Sequence, residues 1–224
     1  MSTGRPETVA VLPVKRWDAA KQRLAEDFGK GTRRALVEAM VTDVLIALRR
    51  SKRVDLTLVI TKEPGVEALA HGYDADAVHD TAEDTHSAAA ALGVQRAVER
   101  GARRVLLIPG DCPAMDPKEI DALLARPVAE AGEVVIISDR HGTGTNGLLL
   151  TPPQVIDPAF GPGSRERHER LAAAAGVPCS VQEVRSLMLD VDTAEDLDVV
   201  REALGEGVGN AAHTRGMLSR LARR

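Results

Sequence analysis

Residues 105–111 read VLLIPGD, and this stretch decides the fold class. An unbroken apolar run of this length is typical of a strand buried on both faces, as in a parallel sheet that helices cover on each side. The run ends in Gly110-Asp111, which places a carboxylate at the carboxyl end of the strand, where such sheets bind ligands. Residues 8–13 (TVAVLP) and 56–61 (LTLVIT) are strands of the same kind.

Helical periodicity occupies the intervals between these strands. Residues 32–50 place Leu36, Met40 and Val44 on one face of a helix. The same reasoning predicts helices at 65–71, 87–100, 117–125, 164–175 (capped by Ser164) and 194–204 (capped by Thr193), and strands at 77–79, 133–138, 148–151 and 181–184. This alternation predicts an α/β protein with a single doubly wound, mostly parallel sheet and helices on both faces.

Composition excludes several classes of protein. The chain has four aromatic residues, namely Trp17, Phe28, Tyr73 and Phe160. These are too few for a base-stacking platform, so we expect no nucleic acid as partner. No window approaches the roughly 20 apolar residues of a membrane span, so we expect no membrane partner either. Two cysteines without metal-ligand or disulfide spacing complete the prediction of a soluble, cytoplasmic protein.

Charge is distributed unevenly along the chain. The formal net charge is −4, but residues 205–224 contain four arginines and one glutamate, a net +3, so residues 1–204 carry −7. We therefore expect a folded domain over 1–204 and a basic, flexible tail over 205–224, for which a nucleic-acid role is the weaker alternative. An acidic domain that handles phosphates needs cations as intermediaries.

Three segments hold candidate ligand-binding residues. A basic loop with Pro13, Lys15, Lys21 and Arg23 follows the first strand and suits a nucleotide triphosphate, although a solvated surface loop has the same composition. Residues 142–147 (GTGTNG) offer backbone N–H groups, hydroxyls and an amide to anionic oxygens, with a flexible hairpin loop as the alternative.

The third segment, residues 160–164 (FGPGS), opens a helix and suits an anion; His168, one turn later, either adds a donor or lies on the surface.

Acidic residues provide a candidate metal site. Asp190 and Asp192 alternate with Val191, so in an extended segment both carboxylates point to one side, where Asp111 can meet them. Carboxylate oxygens are ligands that Mg²⁺ prefers. A turn aspartate at 111 and an acidic helix cap at 190–196 are the alternatives. Cys112 has no base placed beside it and is interpreted as a small core residue.

The order of these motifs resembles one family. PVKRWDAAKQRL, GDCPAMD, GTGTNGLLLTPP, FGPGSRERH and LMLDVDTAEDL look like the CofC/FbiD nucleotidyltransferases of coenzyme F-420 biosynthesis, over about residues 8–204. The resemblance implies a Rossmann-like, nucleotide-diphospho-sugar-transferase-like fold. It also implies GMP transfer from GTP to a small phosphorylated carboxylic acid, with phosphoenolpyruvate expected and 2-phospho-L-lactate or 3-phosphoglycerate as alternatives.

The same resemblance assigns roles to single residues. Lys15, Lys21, Asp111 and Asp192 would be catalytic. The remaining assignments are nucleotide contacts at Pro13, Lys15, Lys21 and Arg23, acceptor contacts at Thr145, Asn146, Gly161 and Ser164, and magnesium at Asp111, Asp190 and Asp192.

One segment departs from the family. The family commonly has a leucine- and asparagine-rich opening to the helix near Ser87, where this chain reads Asp84-Thr85-His86-Ser87-Ala88. A strict preference for guanine is therefore not decided by the sequence. Related nucleotidyltransferases with a molybdopterin or sugar phosphate acceptor stay open, as does a nucleotide-binding regulatory domain without turnover. The oligomeric state is equally open, with a homodimer as the alternative to a monomer.

Overall fold

A seven-stranded sheet forms the centre of the computed structural model, which describes residues 6–16, 21–25, 27–80 and 85–222. The strands are β1 (Thr8–Val14), β2 (Leu56–Thr61), β3 (Asp76–His79), β4 (Arg104–Leu107), β5 (Glu133–Ser138), β6 (Thr145–Thr151) and β7 (Cys179–Gln182). Their order is β3-β2-β1-β4-β6-β5-β7, and only β6 runs antiparallel to its neighbours. The prediction of a mostly parallel sheet is confirmed.

Seven α-helices surround the sheet in the described part of the chain. They are α1 (Lys30–Arg50), α2 (Pro64–Gly72), α3 (His86–Glu99), α4 (Pro117–Leu124), α5 (Ser164–Ala175), α6 (Ala194–Gly205) and α7 (Ala212–Leu221). Short 3-10 turns lie at Gln22–Ala25 and Arg185–Leu187. The six helices predicted before residue 205 are confirmed, because the apolar spacing that identifies a helix also marks where its buried face ends.

The sheet separates two hydrophobic layers. Every residue of β1 is buried, and successive side chains point to opposite faces. Ala10 and Leu12 therefore belong to the layer that α1 covers, while Val9 and Val11 belong to the layer under α3 and α5. Helix α3 approaches the sheet closely at Gly93, where an added Cβ would lie 2.2 Å from Cγ1 of Val11.

Two local boundaries differ from the prediction. Strand β6 begins at Thr145, earlier than the predicted 148, because Thr145 pairs with Ser138 across a register shift in β5. Helix α5 is preceded by Gly163 at φ +67°, so a glycine in the left-handed region, and not the Ser164 side chain, forms its N-cap. At α6 the predicted cap is confirmed, since Thr193 accepts a hydrogen bond from Asp196 N.

The C-terminal segment corrects the expectation of a flexible tail. Residues 212–221 form α7, whose Thr214, Met217 and Leu218 are buried against α1. Asp43 of α1 accepts hydrogen bonds from the backbone N–H groups of His213 and Thr214, which satisfies donors at the start of α7. Arg215 and Arg220 of this helix are exposed, so the net charge of the segment gave no sign of the buried apolar side chains. Among the described helices, none is long and apolar enough to cross a membrane.

Candidate active site

One open cavity of about 550 Å³ lies at the carboxyl ends of β1 and β4. These strands are parallel neighbours, with Val11 beside Leu107, so the segments that follow them meet at the same edge of the sheet. Every residue to which the family resemblance assigns a role lines this cavity: Pro13, Lys15, Lys21, Arg23, Asp111, Thr145, Asn146, Gly161, Ser164, Asp190 and Asp192.

Lys21 joins two of the predicted acidic residues. Its Nζ donates to Asp111 Oδ2 and, at 2.9 Å, to Asp192 Oδ1. The Lys21 side chain is only 8% exposed, against 28% for Asp111 and 48% for Asp192. Arg23 stands further out, 3.7 Å from Asp192 and largely exposed. The two carboxylates thus converge on one cation at the floor of the cavity.

The electrostatics of Lys21 follow from this position. Burial alone lowers the pKa of a lysine, but the charges and hydrogen bonds of Asp111 and Asp192 outweigh burial and raise the pKa of Lys21 above its usual range. Lys21 is charged at neutral pH. Its backbone lies at φ +54°, which costs a non-glycine residue on the order of 1–2 kcal/mol. Such strain is typical of residues held in place at functional sites.

Asp190 makes a different contact from its two acidic neighbours. Its Oδ1 accepts a hydrogen bond from Asn146 Nδ2 at 2.9 Å, and the same amide nitrogen donates to Leu187 O at 2.8 Å. Burial raises the pKa of Asp190. Both hydrogens of the Asn146 amide are used within the protein, so its carbonyl oxygen is the polar atom left for a ligand.

Whether this cavity can hold a metal ion depends on which side-chain oxygen atoms face one point. In the part of the chain that the structure describes, no group of three or more His, Cys, Asp or Glu side chains is arranged to hold a metal ion. The convergence of Asp111 and Asp192 on one ammonium nevertheless shows that two hard oxygen donors can face a single cation there.

Asp196 and Arg140 position Asp192, and the sequence did not indicate this role. Asp196 Oδ2 accepts hydrogen bonds from the backbone N–H groups of Asp192 (2.8 Å) and Thr193 (2.7 Å), and Arg140 pairs with its Oδ1. Burial by itself raises the pKa of Asp196, but these hydrogen bonds and the Arg140 charge together outweigh burial. The pKa of Asp196 is therefore lower than its usual value. The capping-box spacing Thr193–Asp196 is the signal that could have identified it.

Another part of the cavity lining lies around the start of α5. Ser164 is buried at the first turn of this helix, and Gly161 lies beside it at φ +113°, a region that favours glycine. Arg167 donates to the backbone carbonyls of Ala159 and Pro162 and so anchors the segment 159–163.

The glycine-rich loop is anchored in the same way. Asp139 Oδ1 accepts from Thr143 N at 2.9 Å, and Arg165 Nη1 donates to Gly142 O at 3.1 Å. A Cβ on Gly144 would lie 2.7 Å from Asp139 Oδ2. These contacts make the loop an ordered part of the wall, so the flexible-hairpin alternative does not hold for the described residues.

His168 differs from both sequence interpretations. It is fully buried, neither on the surface nor at the cavity wall. Its Nε2 accepts from Ala159 N at 2.9 Å, and its Nδ1 lies 3.1 Å from Thr145 Oγ1. Burial, together with the Arg167 charge, lowers the pKa of His168 to about 4. The ring is therefore neutral at physiological pH.

The segment that departs from the family borders a second, smaller cavity. Thr85 caps α3 by accepting from Ala88 N, and His86 lines both the main cavity and an adjoining one of about 190 Å³ that also touches Lys15. The Phe160 ring makes edge contacts with His86 (4.8 Å between centroids) and His168 (5.4 Å). Trp17, which falls between Lys15 and Lys21 of the basic loop, lies outside the described residues, as does Asp84.

Cys112 behaves as the sequence suggested. It is buried, its Sγ lies 3.4 Å from Leu187 O, and burial raises the pKa of its thiol well above the usual value. A thiol that stays protonated at neutral pH is a poor nucleophile.

Comparisons with known proteins agree on one family. Residues 8–222 match the family model described as guanylyl transferase CofC like. The chain is 51% identical over 216 residues to a phosphoenolpyruvate guanylyltransferase of Conexibacter woesei, covering 96% of this chain and 97% of that protein. It is 33% identical over 200 residues to a 3-phospho-D-glycerate guanylyltransferase of Phenylobacterium zucineum, covering 88% and 91%.

Solved structures share the architecture. A nucleotidyl transferase from Methanothermobacter thermautotrophicus superposes with a TM-score of 0.64 at 21% identity, over 90% of this chain and 99% of that one. A 4-diphosphocytidyl-2C-methyl-D-erythritol synthase superposes with a TM-score of 0.61 at 16% identity, over 89% of this chain and 99% of that one. At these identities the likeness establishes the fold alone, and the nucleotidyltransferase-like fold expected from the sequence is confirmed.

Proposed function

Because the chain belongs to the family of CofC-like guanylyl transferases, which makes it a nucleotidyltransferase, we propose that it transfers GMP from GTP to phosphoenolpyruvate in coenzyme F-420 biosynthesis. The products are enolpyruvoyl-2-diphospho-5'-guanosine and pyrophosphate. One observation carries the proposal: a single cavity is lined both by Lys15 and Lys21 and by Thr145 and Ser164. A triphosphate and a small anionic acid could therefore occupy the same cavity.

The reaction needs positioning more than proton transfer. A phosphate oxygen of the acid attacks the α-phosphorus of GTP, a new P–O bond forms, and the bond to the bridging oxygen of the leaving pyrophosphate breaks. The attacking phosphate is already ionised near neutral pH, so no general base is required. Catalysis then consists of holding two polyanions in line and offsetting their charge. Lys21, kept charged by its aspartates, is suited to that task.

We assign the nucleotide to the Lys15 side of the cavity. Pro13 and Lys15 line both the main cavity and its smaller neighbour, which gives room for a base beyond the phosphates. The side chains of Lys15, Lys21 and Arg23 would bind the triphosphate oxygens. Among the described residues that line the two cavities, only His86 and Phe160 carry aromatic rings, so polar and backbone groups would hold guanine, with His86 in place of the family's asparagine-rich opening.

Magnesium is the proposed metal ion. Asp111 and Asp192 would hold it, since both carboxylates already face one cation. Asp190 would be the third acidic residue at the site, because it lines the same cavity, although its Oδ1 accepts a hydrogen bond from Asn146. When bound, Mg²⁺ would neutralise charge on the phosphate oxygens of GTP.

The acceptor acid would occupy the wall formed by β6 and α5. Thr145 and Ser164 offer hydroxyls, and Gly161 offers its backbone, to a carboxylate or phosphate. The Asn146 carbonyl oxygen is an acceptor, so it would contact a donor group or a cation and not an anionic oxygen. The Conexibacter relative favours phosphoenolpyruvate as acceptor, and the Phenylobacterium relative keeps 3-phosphoglycerate as the second candidate. The acid 2-phospho-L-lactate presents the same two anionic groups.

One experiment tests both the guanylyl transfer activity and the identity of the acceptor acid. Purified protein is incubated with GTP, Mg²⁺ and each of the three acids in turn, and products are identified by mass while pyrophosphate release is measured. The expected result is the guanosine adduct of phosphoenolpyruvate. Activity with CTP, or with a sugar or molybdopterin phosphate only, would assign a related transferase. GTP binding without product from any acceptor would identify a regulatory binding domain.

Two further proposals concern the cellular compartment and the oligomeric state of the protein. The cysteines Cys112 and Cys179 are both free, in keeping with a reducing compartment such as the cytoplasm. A homodimer in solution is the second proposal, and light scattering at several protein concentrations tests it directly; a constant monomer mass would refute it.

A further inference from the structure

A buried hydrogen-bonded chain leads from the backbone to the wall assigned to the acceptor acid. Ala159 N donates to His168 Nε2 at 2.9 Å, and His168 Nδ1 lies 3.1 Å from Thr145 Oγ1. His168 has no exposed surface, whereas Thr145 lines the cavity. His168 therefore contacts a binding residue from behind without reaching the ligand itself.

The partners decide which ring nitrogen carries the proton. A backbone N–H can only donate, so Nε2 must be the unprotonated acceptor. A neutral imidazole with a free lone pair on Nε2 carries its hydrogen on Nδ1. Nδ1–H then donates to the oxygen of Thr145.

This tautomer constrains the hydroxyl of Thr145. A hydroxyl has one proton and two lone pairs, and His168 occupies one lone pair. The hydroxyl proton is then directed away from the imidazole, where it can be donated to a group in the cavity. Anionic oxygens make the strongest acceptors for such a proton.

We propose that His168 is a positioning residue that, through Thr145, presents a hydroxyl donor to an anionic group of the acceptor acid. The inference rests on the proposed function, since it concerns the acceptor side of that site. A purely structural histidine would fill space between α5 and β6 equally well, but it would not need to distinguish its two nitrogens. The three residues Ala159, His168 and Thr145 make that distinction by fixing a donor on one side and an acceptor on the other.

Two substitutions of His168 distinguish the roles of its two ring nitrogens. His168→Gln can keep an acceptor near Nε2 but loses the donor at Nδ1, whereas His168→Asn can keep a donor near Nδ1 and loses the acceptor. We expect His168→Gln to raise the KM of the acceptor about tenfold, the effect of one lost hydrogen bond to a charged group, and to leave the KM of GTP within about twofold. His168→Asn should stay closer to wild type in acceptor KM. His71→Gln, an exposed histidine on α2, is the matched control.

A double-variant cycle tests the route through Thr145. In a Thr145→Val background, His168→Gln should change acceptor KM by less than about twofold, because the hydroxyl it orients is gone. Equal rises in both KM values, multiplicative effects in the double variant, or an acceptor KM for His168→Asn as high as for His168→Gln would overturn the proposal. If neither His168 variant folds, Thr145→Val alone decides, and an unchanged acceptor KM overturns it.

Calorimetric binding of phosphoenolpyruvate keeps this test separate from the proposed function. Wild-type protein that binds the acid but forms no product with any of the three acids contradicts the proposed activity alone. The His168 proposal would then be judged on the Kd of phosphoenolpyruvate, which should rise in His168→Gln and stay unchanged in His71→Gln.

Discussion

Lys21 Nζ lies 2.9 Å from Asp192 Oδ1, although 171 positions separate the two residues in the sequence. The same ammonium also pairs with Asp111, at the end of a different segment. One cation therefore ties the basic loop after β1 to both acidic motifs. This arrangement brings the groups that we propose to offset phosphate charge to one point in an otherwise acidic domain.

Removing either carboxylate should abolish most activity. We expect Asp111→Asn and Asp192→Asn to lower kcat by about 100-fold or more, as losses of transition-state charge stabilisation do. The fold should survive, since both side chains are partly exposed. Pyrophosphate release and thermal melting measure the two effects. Asp198→Asn, on the exposed face of α6, is the control, and near-normal turnover in both site variants would refute the assignment.

Lys21→Met should reduce turnover for a different reason. The substitution keeps an apolar stem of similar length but removes the charge that Asp111 and Asp192 share. We expect kcat with GTP to fall by about 100-fold and Lys21→Arg to recover part of it, because a second cation replaces the first. A Lys21→Met variant with unchanged kcat would show that the ammonium serves only to hold the two carboxylates.

Ser164→Ala should affect the acceptor more than the nucleotide. Ser164 lines the cavity at the start of α5, on the wall assigned to the acid. Loss of one hydroxyl donor to a charged oxygen should raise the acceptor KM about tenfold and leave the KM of GTP within about twofold. Steady-state kinetics with each substrate varied in turn measures this split. Ser219→Ala, exposed on α7, should change neither KM.

Gly93→Ala should destabilise the fold. A Cβ at this position would lie 2.2 Å from Val11 Cγ1, so either the buried Val11 side chain or α3 itself must shift. Overpacking of this kind costs about 1–3 kcal/mol in the free energy of unfolding. Gly216→Ala in α7 is the matched control, because no atom outside its chain neighbours and its own helix backbone lies within 4 Å of the added Cβ. There we expect a gain of up to about 1 kcal/mol in the free energy of unfolding. Urea unfolding of both variants measures the difference.

Acid should weaken the folded state through His168. Its pKa is about 4 in the folded protein, against about 6.5 for an unperturbed histidine. Between these values the unfolded chain binds more protons, so the free energy of unfolding falls as pH drops from about 6.5 to about 4. The loss attributable to this residue is at most about 3 kcal/mol.

His168→Gln removes this titration, so its stability should vary less with pH over that window than wild type does. Chemical denaturation at pH 7, 5.5 and 4.5 measures the slopes. Parallel slopes for the two proteins would show that His168 already titrates near its ordinary pKa.

Local patterns made much of the fold predictable. Residues 56–61, 133–138 and 164–175 form elements with the predicted bounds, because apolar runs and helical spacing report burial within a few neighbouring residues. The C-terminal helix α7 was missed because its apolar stripe is short and its stability comes from Asp43 and α1, more than 160 positions away.

The same distinction between local sequence patterns and tertiary contacts applies to the candidate site. By itself, the sequence determined which residue types are candidates for the proposed chemistry and that the carboxyl ends of the strands would bring them together, since motif order and sheet architecture can be read from neighbours along the chain. Only the tertiary structure decided their partners: Lys21 between Asp111 and Asp192, Asn146 on Asp190, and His168 buried behind Thr145. Hydrogen bonds between distant segments depend on strand order and helix docking to within a few tenths of an ångström, and no local pattern encodes distances of that kind.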